Sequence, residues 1–187
     1  MKNNTRKLVL MAMFTALSVV LVYLIHFPIF PSASFLEYDP ADIPILIGTF
    51  AFGPIAGIIL TVVASGIQAL TVSAASGLYG FLMHIIATGV VVIVAGCIYK
   101  AKHTMKGAIL ALICGTVACG LVMLVANHFI TPLFMMVPTE AVDAMLLPVI
   151  LPFNLIKVGA NSLITFLLYK TISVHIIKNE HFLSKSK

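Results

Sequence analysis

Apolar residues fill long, nearly unbroken runs along this chain, and the polar residues gather where the runs end. Runs of that kind predict helices that are apolar all round, the form a bilayer demands of a backbone that must satisfy its own hydrogen bonds. Their punctuation predicts helices over about 8–27, 42–52, 55–72, 78–99, 107–129 and 149–173. The first ends at Pro28 and Pro31, and the second at Gly53-Pro54. The third stops in the small-residue stretch Ser73 to Gly77, and the fourth in the basic linker Lys100 to Lys106. A Pro-rich, acidic stretch from Thr131 to Pro148 leads into the sixth, and a polar tail, 174–187, follows it. The second helix is too short to cross ~30 Å of hydrocarbon without help from neighbouring loops or buried irregular backbone.

Composition moves this pattern firmly into the membrane. The chain is 61% hydrophobic and 9% charged, with a mean hydropathy of +1.14, whereas a soluble domain is about a quarter charged. The reading is an all-α integral membrane protein, a single membrane domain over 1–187. It is a six-transmembrane-helix bundle with a long structured extracellular first loop between the first two helices. Lys2, Arg6 and Lys7 precede an apolar run of 18 residues, 8–25. A cleaved signal core is about 7–15 residues, so this run reads as a retained first span.

Charge sets the orientation. With six crossings and a cytoplasmic N-terminus, the inner segments hold Lys2, Arg6, Lys7, Lys100, Lys102, Lys106, Lys170, Lys178, Lys185 and Lys187. The outer segments hold Glu37, Asp39, Asp42, Glu140 and Asp143, with no Lys or Arg. This is the positive-inside bias of a multi-pass cell-membrane protein with both termini cytoplasmic. The formal net charge of +5 is thus an orientation signal, and no nucleic-acid partner is expected. Pro54 alone of the nine prolines sits at an inner turn, which makes the outer face the structured one.

The candidate chemistry lies on that outer side. Three of the six acidic residues fall within one hexapeptide, Glu37-Tyr-Asp-Pro-Ala-Asp42. Each would cost roughly 2.5–3.5 kcal/mol in hydrocarbon, so all three are expected to face water in a proline-shaped loop. Within the spans the one Lys or Arg is Lys157. Asn154, Lys157 and Asn161 stand at i, i+3 and i+7 on one helix face. Lipid cannot satisfy such a stripe, so it must line a cavity or a structural network, the latter through a loop carboxylate paired with Lys157. Asn127 lies at the depth of Asn154 and would converge on the same place. Gln68, Thr71 and Tyr79 are further wall candidates.

Other motifs are negative or weak. Cys97, Cys114 and Cys119 match no zinc or redox spacing and read as packing residues. No histidine pair has metal-site spacing, and His26, His84 and His128 carry no assigned role. No GxxxxGK[ST] phosphate loop occurs, and no Asp or Glu lies inside a span to relay protons. No internal repeat is visible. Ala12 and Ala16 form a small-xxx-small pattern that permits close helix approach. The implied protein binds a ligand and is driven by something else; an integral-membrane enzyme using Glu37, Asp39 or His84 is the reading from another class.

These residues also carry a resemblance. The segments Phe35-Leu-Glu-Tyr-Asp-Pro-Ala-Asp-Ile-Pro-Ile-Leu-Ile-Gly48, Phe50-Ala-Phe-Gly-Pro-Ile-Ala-Gly57 and Pro152-Phe-Asn-Leu-Ile-Lys157 resemble the substrate-binding S components of energy-coupling factor (ECF) vitamin transporters. The resemblance is closest to the riboflavin-specific branch and covers nearly the whole length. It implies capture of riboflavin at an outward site and its delivery inward through a transmembrane coupling subunit. Two cytoplasmic ATPase subunits would supply the energy, so riboflavin is substrate, ATP is used by partners and no cofactor is expected. It further implies ligand contacts at Leu36, Glu37, Tyr38 and Asp39 of the loop, at Gly48 and Thr49, and at Tyr79, Asn127, Asn154, Lys157 and Asn161. Ala12 and Ala16 would dock on the coupling subunit. The runner-up is an S component for another water-soluble vitamin.

Overall fold

The computed structural model describes residues 2–172; the expected tail over 174–187 and the end of the sixth predicted helix lie outside them. The chain is built from helices α1 (Lys2–Leu24), α2 (Asp42–Phe52), α3 (Pro54–Leu70), α4 (Gly77–Ala101), α5 (Met105–Met135), α6 (Thr139–Met145) and α7 (Leu151–Ile172). A small hairpin sits in the first loop. Its strands β1 (Phe27–Pro28) and β2 (Glu37–Tyr38) pair antiparallel, Phe27 against Tyr38 and Pro28 against Glu37.

Four helical stretches are long and apolar enough to cross a membrane: Asn4–Leu24, Gly77–Ala101, Met105–Met135 and Thr139–Leu168. Two shorter apolar helices, Asp42–Phe52 and Pro54–Leu70, complete the apolar set. Large apolar side chains stand exposed along the outer faces, among them Leu17, Ile55, Leu121, Val125 and Leu163, a surface suited to lipid rather than water. The interior packs Ile45, Leu46, Leu60, Val91, Val92 and Leu112 between α2, α3, α4 and α5. A second, smaller cluster, Ala33, Leu36, Val142, Ile150 and Phe153, pins the first loop onto α6 and the start of α7.

Local chemistry explains the breaks. Gly53 adopts φ +90°, a conformation that favours glycine, and Pro54 opens α3 with a preset φ. The pair thus turns the chain sharply from α2 into α3. Close approach follows: a Cβ on Gly96 would come within 2.8 Å of Pro54 Cβ and 2.9 Å of Thr49 Cγ2. Thr104 Oγ1 accepts from Gly107 N at 3.0 Å and caps α5. Met136, in the left-handed region at φ 53°, ends it, and Pro138 follows.

Two boundaries differ from the sequence expectation. The fifth helix continues to Met135 rather than stopping near 129, with Pro132 inside its last turn. Pro132 is buried in the last turn, where it costs the helix a single hydrogen bond, a loss that membrane helices tolerate. The stretch 131–148 is therefore largely helical. Its second half, α6, runs through a π-helical turn at Leu146–Ile150 directly into α7, so Pro148 widens the helix instead of preceding it. Such turns are frequent at functional sites.

Candidate ligand-binding cavity

The first loop, α3, α4, α5 and α7 enclose a cavity. From the loop come Phe35, Leu36, Glu37 and Asp39, and from the start of α2 comes Asp42. Ser65 and Gln68 of α3, with Tyr79, Phe81, Met83 and His84 of α4, form one wall. Asn127, Thr131 and Phe134 of α5 and Phe153, Asn154 and Lys157 of α7 form the other. Tyr79 and Phe134 meet across the rim with ring centroids 5.8 Å apart.

The stripe on α7 both lines this cavity and ties the loop down. Lys157 Nζ donates to Asp39 Oδ2 at 2.6 Å and to the Glu37 carbonyl at 3.3 Å. One turn further along, Asn161 is fully buried. Its Nδ2 donates to the Asp39 carbonyl at 3.0 Å and to Asp42 Oδ2 at 3.1 Å, and its Oδ1 accepts from Tyr38 Oη at 3.0 Å. Burial, with Asp39 and Asp42 nearby, raises the Tyr38 phenol above its ordinary range, so it stays a proton donor. Ser18 of α1 donates to the Ala41 carbonyl at 2.9 Å, and Ala41 N donates to Asp39 Oδ1 at 3.0 Å. The Glu37–Asp42 segment is thereby held from several sides by partners distant in sequence.

The expectation that all three loop carboxylates face water holds for Glu37, which is exposed, and fails for the other two. Asp39 is 9% exposed and Asp42 is 4% exposed. Both are buried because they are paired. Asp39 has Lys157 and Ala41 N; Asp42 accepts from Thr88 Oγ1 at 2.6 Å and from Asn161, with His84 Nε2 at 3.5 Å. Asp42 also occupies the first turn of α2, where the helix dipole favours a carboxylate.

Of the residues singled out from the sequence, Leu36, Glu37, Asp39, Gln68, Tyr79, Asn127, Asn154 and Lys157 line the cavity. Asn127 is held by its own helix: Nδ2 donates to the Met123 carbonyl at 2.7 Å, while Oδ1 accepts from Thr131 at 2.8 Å. Asn154 Nδ2 likewise donates to the Ile150 carbonyl at 2.8 Å, where the π-helical turn passes into α7. Tyr38 and Asn161 stand behind the wall and position it. Gly48 and Thr49 lie away from the cavity: Gly48 packs against Phe14 and Leu60, and Thr49 is buried with its hydroxyl on the Ile45 carbonyl at 2.8 Å. Thr71 is also apart, its hydroxyl bonded to the Ile67 carbonyl at 2.7 Å. The reading from sequence named His84 without its link to Asp42, and missed Thr88, which also reaches Asp42, and the aromatic residues Phe81, Phe134 and Phe153 of the lining. Nothing in an apolar run distinguishes these residues from lipid-facing or packed ones. Among the described residues no group of three or more His, Cys, Asp or Glu is placed to hold a metal ion.

A helical chain with an apolar outer surface and a cavity walled by aromatic, amide and hydroxyl side chains is, in class, a membrane-embedded small-molecule-binding protein. The chain belongs to the family of ECF transporter substrate-specific components, whose sequence profile matches residues 6–169. It is therefore a transport component and not an enzyme. It is 34% identical over 177 residues to the riboflavin transporter RibU of Staphylococcus aureus (strain TCH60), covering 91% of this chain and 92% of that protein. It is 29% identical over 162 residues to the riboflavin transporter FmnP of Bacillus subtilis (strain 168), covering 82% and 85%. Its fold matches a solved S component of a bacterial ECF transporter with a TM-score of 0.79 at 29% identity, covering 91% of this chain and 96% of that one.

Proposed function

We propose that this chain is the riboflavin-binding subunit of an ECF-type uptake transporter. The observation that carries the reading is the cavity itself. Aromatic and methionine side chains flank it, while Asn127, Asn154 and Lys157 present polar atoms along one wall under a tethered loop. Riboflavin is a flat, uncharged, largely apolar ring system with a polyhydroxyl tail, and it needs an apolar slot with a few fixed donors and acceptors. The near full-length similarity to proteins named riboflavin transporters supports the same choice over another vitamin.

The cavity opens outward and the loop over residues 28–41 is the extracellular gate. The chain crosses the membrane six times, with α2 completed by its buried neighbours, and both termini are cytoplasmic; the distribution of Lys and Arg supports this orientation. Leu36, Glu37 and Asp39 contact the ring from above, with Tyr79, Asn127, Asn154 and Lys157 beside it. Tyr38 and Asn161 act through the loop, and Gly48 and Thr49 through packing. Ala12 and Ala16, both exposed on α1, dock on a transmembrane coupling subunit, and two cytoplasmic ATPase subunits supply the energy. The chain itself carries no cofactor.

Reconstitution with the coupling subunit and ATPases in vesicles tests this reading. Labelled riboflavin is expected to accumulate only with ATP on the ATPase side, and unlabelled riboflavin, but not thiamine or folate, should compete. Accumulation of a different vitamin instead would overturn the substrate assignment.

A further inference from the structure

Two buried polar atoms on α3 have no hydrogen-bond partner among the described residues: Ser65 Oγ and Gln68 Nε2. Ser65 is 1% exposed and Gln68 4% exposed, and both line the cavity. They stand three apart, on one helix face. Buried donors are rarely left unpaired in native proteins, because the cost of stripping them of water is not repaid. Both residues belong to the cavity lining, which makes a molecule bound there the natural partner for these groups. His84 Nε2 also lacks a hydrogen bond, but it sits 3.5 Å from Asp42 Oδ1 and belongs to the loop network.

The opposite wall is differently equipped. Lys157 is engaged by Asp39, and the amide nitrogens of Asn127 and Asn154 by backbone carbonyls. Helix α3 packs on α1, α2 and α4, and α7 on α2 and α5, so the two polar sets come from different helices. Glu37, Asp39, Asp42 and Lys157 lie on the loop and α7 side. The α3 side and the turn after it offer uncharged groups: Ser65, Gln68, Ser73, Ser76 and Tyr79. Neutral hydroxyl and amide groups that both donate and accept suit a neutral polyol, whose hydroxyls do the same.

We propose that Ser65 and Gln68 hydrogen-bond the hydroxylated chain of the bound flavin, making α3 the wall that distinguishes a polyol-bearing ring from a bare one. The proposal rests on the riboflavin reading and deepens it. The ring then lies under the loop beside Asn154 and Lys157, with its tail reaching toward α3.

The test titrates the purified full chain, Ser65→Ala and Gln68→Leu with riboflavin and with lumiflavin, which keeps the ring but has methyl in place of the hydroxylated chain. Ligand-free melting is recorded alongside. The parent is expected to prefer riboflavin. Each variant should lose about tenfold in riboflavin affinity, keep its lumiflavin affinity, and melt no lower than the parent, because an unpaired buried group has been replaced by an apolar one. A variant that retains full riboflavin affinity, or weakens equally toward both flavins, overturns the assignment. A parent that binds neither flavin overturns the riboflavin reading itself, a result distinct from either.

Discussion

Lys157 Nζ stands 2.6 Å from Asp39 Oδ2, joining the first half of α7 to the loop between α1 and α2 across 118 residues of sequence. The two side chains are 18% and 12% exposed, so the pair is largely withdrawn from water. One ion pair thus serves two ends: it closes the loop over the cavity and leaves an ammonium on the cavity wall.

Removing one partner of such a pair strands the other. Lys157→Met should cost about 3–5 kcal/mol of stability, because Asp39 loses its counter-charge in a low-dielectric setting. The double variant Lys157→Met/Asp39→Leu should recover much of that loss, since well-packed apolar replacements of buried pairs are often near neutral. Thermal unfolding in detergent checks the order; a double variant no more stable than Lys157→Met would contradict it.

Asn161 touches no ligand in this account, yet it holds Tyr38, the Asp39 carbonyl and Asp42 together. Asn161→Leu leaves the Tyr38 hydroxyl and the Asp39 carbonyl without this partner, at about 1–3 kcal/mol each where buried, and strips Asp42 Oδ2 of its amide while Thr88 still holds Oδ1. The expected result is a looser loop and riboflavin release at least ~10-fold faster, with a smaller change in association, as is usual for altered complexes. Stopped-flow fluorescence reads both rates.

Helix packing around α3 depends on missing side chains. A Cβ at Gly57 would collide with Thr49 Oγ1 and come within 2.6 Å of Val92 Cγ1. Gly57→Val should therefore destabilise the protein by about 1–3 kcal/mol through overpacking, lowering its melting temperature. The same substitution at Gly159, where a Cβ meets nothing within 4 Å, is the control expected to be mild.

Ala12→Leu/Ala16→Leu alters an exposed face of α1 far from the cavity lining. Riboflavin binding by the isolated chain should be unchanged, while co-purification with the coupling subunit should be lost, because bulk prevents close helix approach. Retained co-purification would remove these alanines from the docking surface.

Much of this was readable from residues alone, and the exceptions share a cause. Apolar runs marked the helices, and the i, i+3, i+7 spacing of Asn154, Lys157 and Asn161 marked the face that α7 turns inward. The acidic hexapeptide located the loop. Proline misled twice: Pro132 and Pro148 read as helix ends, but packing tolerates one and a π-helical turn absorbs the other. Gly48 and Thr49, suggested by the resemblance and not by any pattern, sit in the stretch of α2 that is buried from Asp42 to Phe50 and outside the cavity lining. The burial of Asp42 rests on Thr88 and Asn161, 46 and 119 residues away, and local sequence cannot announce partners so distant.

The central claim is that this chain, alone, binds riboflavin in the cavity between the first loop and α7. Its most direct test is a fluorescence-quenching titration of riboflavin with the purified protein and with Asn154→Ala. The account predicts saturable quenching at one site, competed by flavin analogues but not by thiamine or folate. Affinity in the variant should fall roughly ten- to over a hundred-fold, the consequence of leaving one buried group unpaired. Flat fluorescence from folded protein, or an Asn154→Ala variant that binds as tightly as the parent, would contradict it.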